Sequence, residues 1–289
     1  MNVTKYHGLG NDYLVYDPNR EAMPLTEERV RLICHRNYGV GSDGILYGPI
    51  ISGNGLALRI FNPDGSEAEK SGNGIRIFAK YLLDEGYVTS MQFVLHTLGG
   101  DVDVEYLDPA GSRIKVMMGT VTFQSNEIPV AGPAREVVDE PATFAEENVR
   151  MTCLSIGNPH CVIPLPHISA EKACALGTAV ETDARFPNRI NMQLLRVRNR
   201  NNIEIEIFER GAGYTLASGS SSCAAACAAH KLGLVDGEIT VHMPGGQMQV
   251  SIQAGGQVYL TGNVAKVAAM ALDEQFISEL MAMDDKALT

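Results

Sequence analysis

Residues 59–88 read RIFNPDGSEAEKSGNGIRIFAKYLLDEGYV, and residues 206–235 read EIFERGAGYTLASGSSSCAAACAAHKLGLV. The two stretches align without a gap at an offset of 147 residues, which brings Ser71 opposite Ser218. Upstream, Asn11 and Asn158 each lie 60 residues before the serine of their own half. Landmarks that keep their order and spacing over most of a chain indicate an internal repeat, and a repeat predicts two similar structural halves.

Each serine directly precedes an apolar stretch, 72–85 in the first half and 219–232 in the second. Serine is a favoured helix N-cap because its hydroxyl accepts a hydrogen bond from an otherwise unpaired backbone N–H. A glycine follows each stretch, at Gly86 and Gly233, where a helix can end. We therefore predict two central helices, and the alanine-rich second one is apolar nearly all round, which predicts that it is buried.

Alternating apolar and polar residues surround both helices, as in DVDVEYL, RIKVMM, NIEIEIF and QMQVSIQ. This alternation is typical of β-strands, and turn signals join neighbouring strands. Further helices are predicted at 26–37, 169–182 and 274–285. The predicted fold class is α+β, with two pseudo-symmetric domains, each a mostly antiparallel sheet or barrel wrapped around a central helix.

The repeat also predicts the domain boundaries. Residues 1–118 form the first α+β domain, to which the C-terminal segment 265–289 returns, and residues 119–264 form the second.

Composition excludes several classes of protein. Of the 289 residues, 45% are hydrophobic and 20% are charged, which is typical of a globular protein. The net charge of −11 and the lack of a basic run argue against a nucleic acid partner. The first residues lack the apolar core of a signal peptide, and no run of about 18 apolar residues indicates a membrane span. Six cysteines without a CxxC pattern complete the prediction of a cytoplasmic protein with reduced thiols.

Pseudo-twofold packing of the two halves would bring the N-termini of the central helices face to face across a cleft. Free N–H groups and positive dipole ends at such a place suit a carboxylate. Ser71 and Ser218 would then flank one bound carbon, with their oxygens on the order of 6–8 Å apart when ligand is bound. Stereoinversion needs this arrangement, since one group removes a proton from one face and the other delivers a proton to the opposite face.

The motifs resemble those of the diaminopimelate epimerase family over essentially the whole chain. The matching segments are HGLGND at 7–12, GVGSDG at 39–44, FNPDGSEAE-SGNG-R within 61–76, GNPH at 157–160, RFP--IN within 185–191 and ERGAG-TLASG within 209–219. The resemblance implies a cofactor-independent, homodimeric isomerase that binds a small amino acid and interconverts LL- and meso-diaminopimelate, in lysine and peptidoglycan precursor biosynthesis.

In the family that the chain resembles, the positions of Ser71 and Ser218 hold cysteines that act as the acid–base pair. A thiol has a pKa near 8.5, and a helix N-terminus lowers it towards neutrality. A serine hydroxyl is a far weaker acid and needs an activating base. We interpret the chain as an inactivated double variant that still binds substrate, and a natural serine-bearing relative is the alternative.

The resemblance also implies substrate contacts. Asn11 and Asn158 match asparagines near the reacting end of the substrate, and Glu209 matches the residue that takes the distal ammonium. The remaining matches hold carboxylates. The distal carboxylate is assigned to Asn62, Asn191 and Arg210, and the α-carboxylate to the backbone N–H groups of Gly72, Asn73, Gly219 and Ser220.

Two departures leave the substrate open. Tyr214 stands where the family commonly has an acidic residue, and Ser221 stands where glycine is usual. Tyr214 is either a packing substitution or a change at the substrate end. A racemase of another amino acid such as histidine, a non-catalytic amino acid-binding relative, and an isomerase with other acid–base residues stay open.

Two further patterns receive structural interpretations. GVGSDG at 39–44 satisfies G-x-G-x-x-G, but a helix precedes it and a strand follows, the reverse of the order in a dinucleotide site. Cys223 and Cys227 share a helix face without further metal ligands nearby, which favours small buried side chains. For His160 we predict a role in fixing its loop.

Overall fold

The computed structural model describes residues 1–21, 23–53 and 55–283. The chain divides into two compact units, Met1–Val116 with the segment from Asn263 onward, and Met117–Gly262. These limits lie two residues from the predicted boundaries. That each unit folds as an independent domain stays a prediction.

Eighteen strands and five helices make up the described chain. The strands are β1 (Asn2–Gly8), β2 (Asn11–Tyr16), β3 (Ile45–Ser52), β4 (Gly55–Phe61), β5 (Glu67–Ala68), β6 (Gln92–Thr97), β7 (Gly100–Tyr106), β8 (Arg113–Thr120), β9 (Glu140–Phe144), β10 (Glu147–Ser155), β11 (Pro159–Pro164), β12 (Asn191–Asn199), β13 (Asn202–Glu209), β14 (Gly213–Thr215), β15 (Glu238–Met243), β16 (Gly246–Ile252), β17 (Gln257–Asn263) and β18 (Ala265–Ala271). The helices are α1 (Glu27–Cys34), α2 (Gly72–Asp84), α3 (Ala170–Glu181), α4 (Gly219–Lys231) and α5 (Glu274–Met281).

The two units repeat the same connections. In the first, β2 pairs parallel with β3 across α1, and β4 pairs parallel with β6 across α2. In the second, β11 pairs parallel with β12 across α3, and β13 pairs parallel with β15 across α4. The other strand pairs are antiparallel hairpins or neighbours, such as β6 with β7 and β15 with β16. The parallel pairs depart from a purely antiparallel sheet because a helical crossover returns the chain in the same direction.

The central helices have the predicted positions and caps. Both α2 and α4 are 13 residues long and begin directly after their N-cap serines. Gly86 and Gly233 follow them with φ of +76° and +70°, conformations that glycine adopts without strain. Burial of the small side chains of α4 from Ser221 to Ala229 confirms that it is an internal helix.

The α+β fold class is confirmed, and the predicted peripheral helices are present with shorter ends. The helix predicted for 274–285 is observed as α5, and residues 284 and 285 lie outside the described residues, as do 286–289 of the predicted returning segment. The rest of that segment pairs with β1 through β18. None of the described helices is long and apolar enough to cross a membrane.

Candidate functional site

Ser71 caps the first turn of α2. Its backbone is extended, and its Oγ accepts a hydrogen bond from the Gly74 N–H over 3.1 Å. The hydroxyl of Tyr13, on β2, lies 3.3 Å from the same oxygen. A Cβ on Gly74 would lie only 3.2 Å from the Ser71 side chain, so glycine keeps this turn open. Ser71 is thus a cap with a second hydroxyl beside it, and the helix itself supplies no acceptor for the N–H groups of Gly72 and Asn73.

Two asparagines from distant parts of the first unit meet beside this turn. The side-chain nitrogen of Asn73 donates to Asn11 Oδ1 over 3.0 Å, and Asn11 Nδ2 donates to Asp43 Oδ2 over 2.9 Å. Behind them lies the fully buried guanidinium of Arg76, which donates to Asn73 Oδ1 over 2.5 Å and to the Gly72 carbonyl over 3.0 Å. The orientation of both asparagine amides is therefore fixed by charged neighbours.

A cluster of four charged side chains supports the Asn11 end of this arrangement. Arg36 Nη2 contacts Asp12 Oδ1 at 2.8 Å and Asp43 Oδ1 at 2.6 Å, and Lys5 Nζ lies 2.6 Å from Asp12 Oδ2. Burial alone would raise the pKa of Asp12, but the hydrogen bonds from Arg36 and Lys5 outweigh it, and the pKa is lowered. Asp12 is therefore a structural anion and a poor base.

The predicted contact Asn62 lies in a tight turn after β4. Its side-chain nitrogen donates to Ser66 Oγ over 3.0 Å, its carbonyl accepts from Gly65 N–H over 3.0 Å, and Gly65 has a φ of +88°. The turn explains the NPDGS sequence, since Asp64 and Gly65 supply the bonds and the conformation that it needs.

Ser218 caps α4 in the second unit as Ser71 caps α2 in the first. Its Oγ accepts from the Ser221 N–H over 3.3 Å and lies 3.4 Å from the hydroxyl of Ser220. Asn158 Nδ2 in turn lies 3.4 Å from Ser220 Oγ. The arrangement repeats the one in the first unit, because Ser220 and Asn158 stand at the positions of Asn73 and Asn11.

Glu209 ends β13 close to this cap. Burial raises the pKa of its carboxyl group, while the neighbouring hydroxyls of Ser218 and Thr215 act in the opposite direction. A carboxylate that is removed from water in this way gains from a cationic partner, so Glu209 suits the capture of an ammonium group.

His160 is completely buried behind Asn158. Its Nε2 lies 3.0 Å from Asn158 Oδ1, and its Nδ1 lies 3.3 Å from Gln193 Oε1. Burial lowers the pKa of His160 to about 3, so its imidazole is neutral at physiological pH. Both ring nitrogens contact side chains of the loop and of β12, as the prediction of a loop-fixing role requires.

Asn191 and Arg210 lie together at the end of β13. Asn191 Nδ2 donates to the Pro159 carbonyl over 2.8 Å, and its Oδ1 accepts from the Arg210 N–H over 3.0 Å. The guanidinium of Arg210 is exposed and donates to the Asn188 carbonyl over 3.0 Å. Asn191 therefore joins two backbone segments, while Arg210 keeps further N–H groups for an anion.

The structure favours the packing interpretation of Tyr214. Its hydroxyl donates to Glu206 Oε2 over 2.6 Å, and its ring packs with Phe208 against the core under α3. Tyr214 lies directly opposite Phe208 in the β13–β14 pair. Successive side chains of a strand point to opposite faces, so Tyr214 lies on the face away from Glu209.

Several supporting residues could not be found from the sequence. Glu181 is an example: it is buried, accepts from the Gly211 N–H over 2.7 Å, and pairs with Arg189, which fixes the loop that carries Arg210. Tyr13, Arg76 and Gln193 stand at apolar-patterned positions, where no local signal sets them apart. Tyr13 explains why residue 44 is glycine, because a Cβ at Gly44 would lie 2.8 Å from the Tyr13 ring.

The two further sequence patterns, GVGSDG at 39–44 and the pair Cys223 and Cys227, have structural roles. Residues 39–44 run from α1 to β3, in the predicted order of helix, loop and strand. Cys223 and Cys227 are buried in α4. In residues 1–21, 23–53 and 55–283, no group of three or more His, Cys, Asp or Glu side chains could hold a metal ion.

Solved structures share this fold. A hydroxyproline epimerase from Agrobacterium vitis superposes with a TM-score of 0.68 at 14% identity, over 93% of this chain and 91% of that one. A phenazine biosynthesis protein of the PhzF family from Bacillus anthracis gives a TM-score of 0.62 at 16% identity, over 94% and 99%. At such identities the likeness defines the fold class alone.

Sequence comparison defines the family. The profile described as diaminopimelate epimerase matches residues 3–124 and 152–267. Diaminopimelate epimerase 2 of Nostoc sp. (strain PCC 7120) is 51% identical over 96% of this chain and 98% of its own length, and the Moorella thermoacetica diaminopimelate epimerase is 36% identical over 92% and 97%. The chain belongs to the diaminopimelate epimerase family, which confirms the predicted class, a cofactor-independent isomerase.

Proposed function

We propose that this chain binds diaminopimelate, and that positions 71 and 218 are the acid–base positions for interconversion of its LL and meso forms. One observation carries the proposal. Each unit contains the same arrangement, in which the residue two positions after an N-cap serine contacts an asparagine. The contacts are Asn73 with Asn11 in the first unit and Ser220 with Asn158 in the second. The names of the relatives at 51% and 36% identity support diaminopimelate as the substrate.

In this proposal the first turns of α2 and α4 hold the α-carboxylate through the backbone N–H groups of Gly72, Asn73, Gly219 and Ser220. These donors also stabilise the charge that develops as the α-proton leaves. Asn11 and Asn158 contact the reacting end. Glu209 takes the distal ammonium, and Arg210 with Asn62 and Asn191 takes the distal carboxylate.

Serine at positions 71 and 218 affects the turnover of the bound substrate more than its binding. Ser71 and Ser218 retain the cap geometry and nearly the shape of a thiol, so binding is preserved. Neither hydroxyl ionises near neutral pH. The imidazole of His160 is linked to Ser218 only through Asn158 and Ser220, and both of its nitrogens already contact other side chains. We therefore propose that the Ser/Ser chain binds diaminopimelate and turns it over very slowly.

A second candidate is a non-catalytic amino acid-binding protein of the same fold. Serine at both acid–base positions favours it, because a binding protein has no need of a base.

Under the first proposal the protein works in lysine and peptidoglycan precursor biosynthesis, in the cytoplasm and as a homodimer.

Restoration of both thiols tests the proposal. The variant Ser71→Cys/Ser218→Cys is expected to epimerise LL- and meso-diaminopimelate in both directions, with incorporation of solvent deuterium at Cα. The unaltered chain serves as the control and is expected to exchange far more slowly than the roughly 1–1000 per second of ordinary enzymes. Saturable binding without turnover in the double variant would favour the binding protein, and fast exchange by the unaltered chain would overturn the inactivation proposal.

A further inference from the structure

The hydroxyl of Tyr13 lies beside Ser71, at one of the two proposed acid–base positions. Tyr13 is the third residue of β2 and Ser71 caps α2, and their oxygens lie 3.3 Å apart across 58 residues of chain. The ring of Tyr13 is buried. A ring packed in a protein interior has little freedom to reorient, so the fold itself brings this phenol to the cap.

Gly44 provides the space for the ring. A Cβ at Gly44 would lie 2.8 Å from Cε1 and 3.2 Å from Cδ1 of Tyr13, so the backbone of residue 44 packs directly against the edge of the ring. The Gly44 carbonyl also accepts a hydrogen bond from the Leu14 N–H over 3.1 Å. The residue that follows Tyr13 is thereby tied to the same glycine, which holds the ring in its position next to Ser71.

We infer that Tyr13 is a positioning residue for the acid–base step, and that its hydroxyl donates a hydrogen bond to the ionised form of the residue at position 71. With serine at this position either hydroxyl can be the donor. A phenol keeps its hydrogen near neutral pH, whereas a thiolate has none, so only Tyr13 can donate when position 71 holds a thiolate. The inference rests on the proposed acid–base role of position 71.

The distance between the two oxygens suits a larger atom at position 71. Two hydrogen-bonded hydroxyl oxygens usually lie about 2.7–2.8 Å apart, and Tyr13 and Ser71 are 3.3 Å apart. Sulfur is larger than oxygen and stands on a longer bond, so a thiol would fill the additional space. The Gly74 N–H, which lies 3.1 Å from the Ser71 oxygen, would donate to the same anion.

The second unit surrounds its cap differently. At the repeat offset of 147 residues, His160 stands at the position of Tyr13. The ring nitrogens of His160 lie against Asn158 and Gln193, and the hydroxyl that lies 3.4 Å from Ser218 Oγ comes from Ser220, in the same turn. The ring at this position of the repeat thus contacts the cap serine in the first unit and the asparagine in the second.

The pKa of a thiol introduced at position 71 tests the inference without any ligand. In Ser71→Cys, the alkylation rate of this thiol by iodoacetamide is followed against pH, and mass spectrometry of its peptide separates it from the six native cysteines. Addition of Tyr13→Phe is expected to raise the pKa of the introduced thiol by about one unit, because the thiolate loses a hydrogen bond.

Tyr16→Phe is the matched control. It makes the same change on the same strand, where the Tyr16 hydroxyl donates to the Met23 carbonyl over 2.7 Å, and it should leave the pKa of the introduced thiol unchanged. An unchanged or lowered pKa in Tyr13→Phe, or an equal rise in both variants, would make Tyr13 a packing residue and overturn the inference.

The charged and titratable groups around the cap are the same in both tyrosine variants, so the difference isolates the phenol hydroxyl. These groups neighbour the cap in sequence, lie on the strands and helix packed there, or reach it through Asn11 and Asn73: Lys5, Tyr6, Asp12, Arg36, Asp43, Glu69, Lys70 and Arg76.

Catalysis gives a second readout. In the Ser71→Cys/Ser218→Cys chain, Tyr13→Phe is expected to move the acid limb of the pH profile of kcat/KM to higher pH, and Tyr16→Phe to leave it in place. Calorimetric affinity for LL-diaminopimelate should stay within about twofold in Tyr13→Phe of the unaltered chain, because the hydroxyl acts through position 71. A tenfold weaker affinity would make Tyr13 a substrate contact and overturn the positioning role. Failure of the double thiol chain to epimerise would count against the proposed function, and the alkylation result would still decide the role of Tyr13.

Discussion

Asn73 donates its side-chain N–H to Asn11 over 3.0 Å, and Asn158 lies 3.4 Å from the hydroxyl of Ser220 in the second unit. In both pairs 62 residues separate the partners. The contact is thus a repeated feature of the fold, but its support differs between the units. A buried guanidinium and a carboxylate hold the first pair, whereas a neutral imidazole holds the second.

Restoration of a single thiol should separate the two half-reactions. Ser71→Cys or Ser218→Cys alone is expected to allow at most proton exchange on one face of the α-carbon, because inversion needs a second group to deliver a proton. Solvent deuterium incorporation, followed together with the ratio of LL to meso product, measures this. Full epimerisation by either single variant would contradict the two-base mechanism.

Arg210 is expected to dominate affinity for the distal carboxylate. Arg210→Ala should weaken diaminopimelate binding by about thirtyfold or more, because the carboxylate loses its charged partner. Arg200→Ala is the matched control, since Arg200 is also exposed and pairs with Asp236 away from the site. Similar affinities for the two variants in calorimetric titration would remove Arg210 from the site.

Glu209 should reduce the stability of the free protein. Its pKa is raised by burial from the ordinary value of 4.5, so the folded state loses stability as pH rises through the folded-state pKa. Glu209→Gln is therefore expected to increase the free energy of unfolding at pH 7, with the gain vanishing below about pH 4.5. The same variant should bind diaminopimelate more weakly, because the distal ammonium loses its counter-charge.

Glu204 lies on the same strand as Glu209 and provides a control, because its substitution should change the stability of the protein in the opposite direction. Burial favours its neutral form, but hydrogen bonds from Arg196 and Arg198 outweigh burial and lower the pKa. Glu204→Gln should consequently destabilise the protein at pH 7. Urea unfolding of both variants from pH 4 to 8 measures the difference, and destabilisation in both would contradict the effect assigned to Glu209.

Gly44 should tolerate a side chain poorly, because the Phe61 carbonyl and the Tyr13 ring already lie in the space that a side chain would occupy. A Cβ at Gly44 would lie 2.4 Å from the Phe61 carbonyl oxygen and 2.8 Å from the Tyr13 ring. Gly44→Ala is expected to cost about 2–4 kcal/mol of stability. At Gly86 the φ is +76° but nothing lies within 4 Å of the added Cβ, so Gly86→Ala should cost only about 1 kcal/mol. Thermal unfolding should rank them in that order, and equal losses would show that the close contacts at Gly44 relax.

The sequence by itself determined the elements whose signals are local. An N-cap serine, an apolar stretch and a glycine stop define α2 and α4 within one residue of their predicted ends, because hydrogen bonds to neighbouring residues decide where a helix begins and ends. The 147-residue repeat predicted the two similar halves, and the sequence motifs predicted the family.

Tertiary structure decided which side chains stand behind the site. Asn11 reaches Asn73, and His160 reaches Gln193, across 62 and 33 residues of chain, and no local pattern encodes such contacts. The same holds for the side of the sheet on which Tyr214 lies, which the pairing of β13 with β14 fixes. Burial then sets the charge of His160 and Glu209, because the cost of removing an ionised group from water depends on everything packed around it.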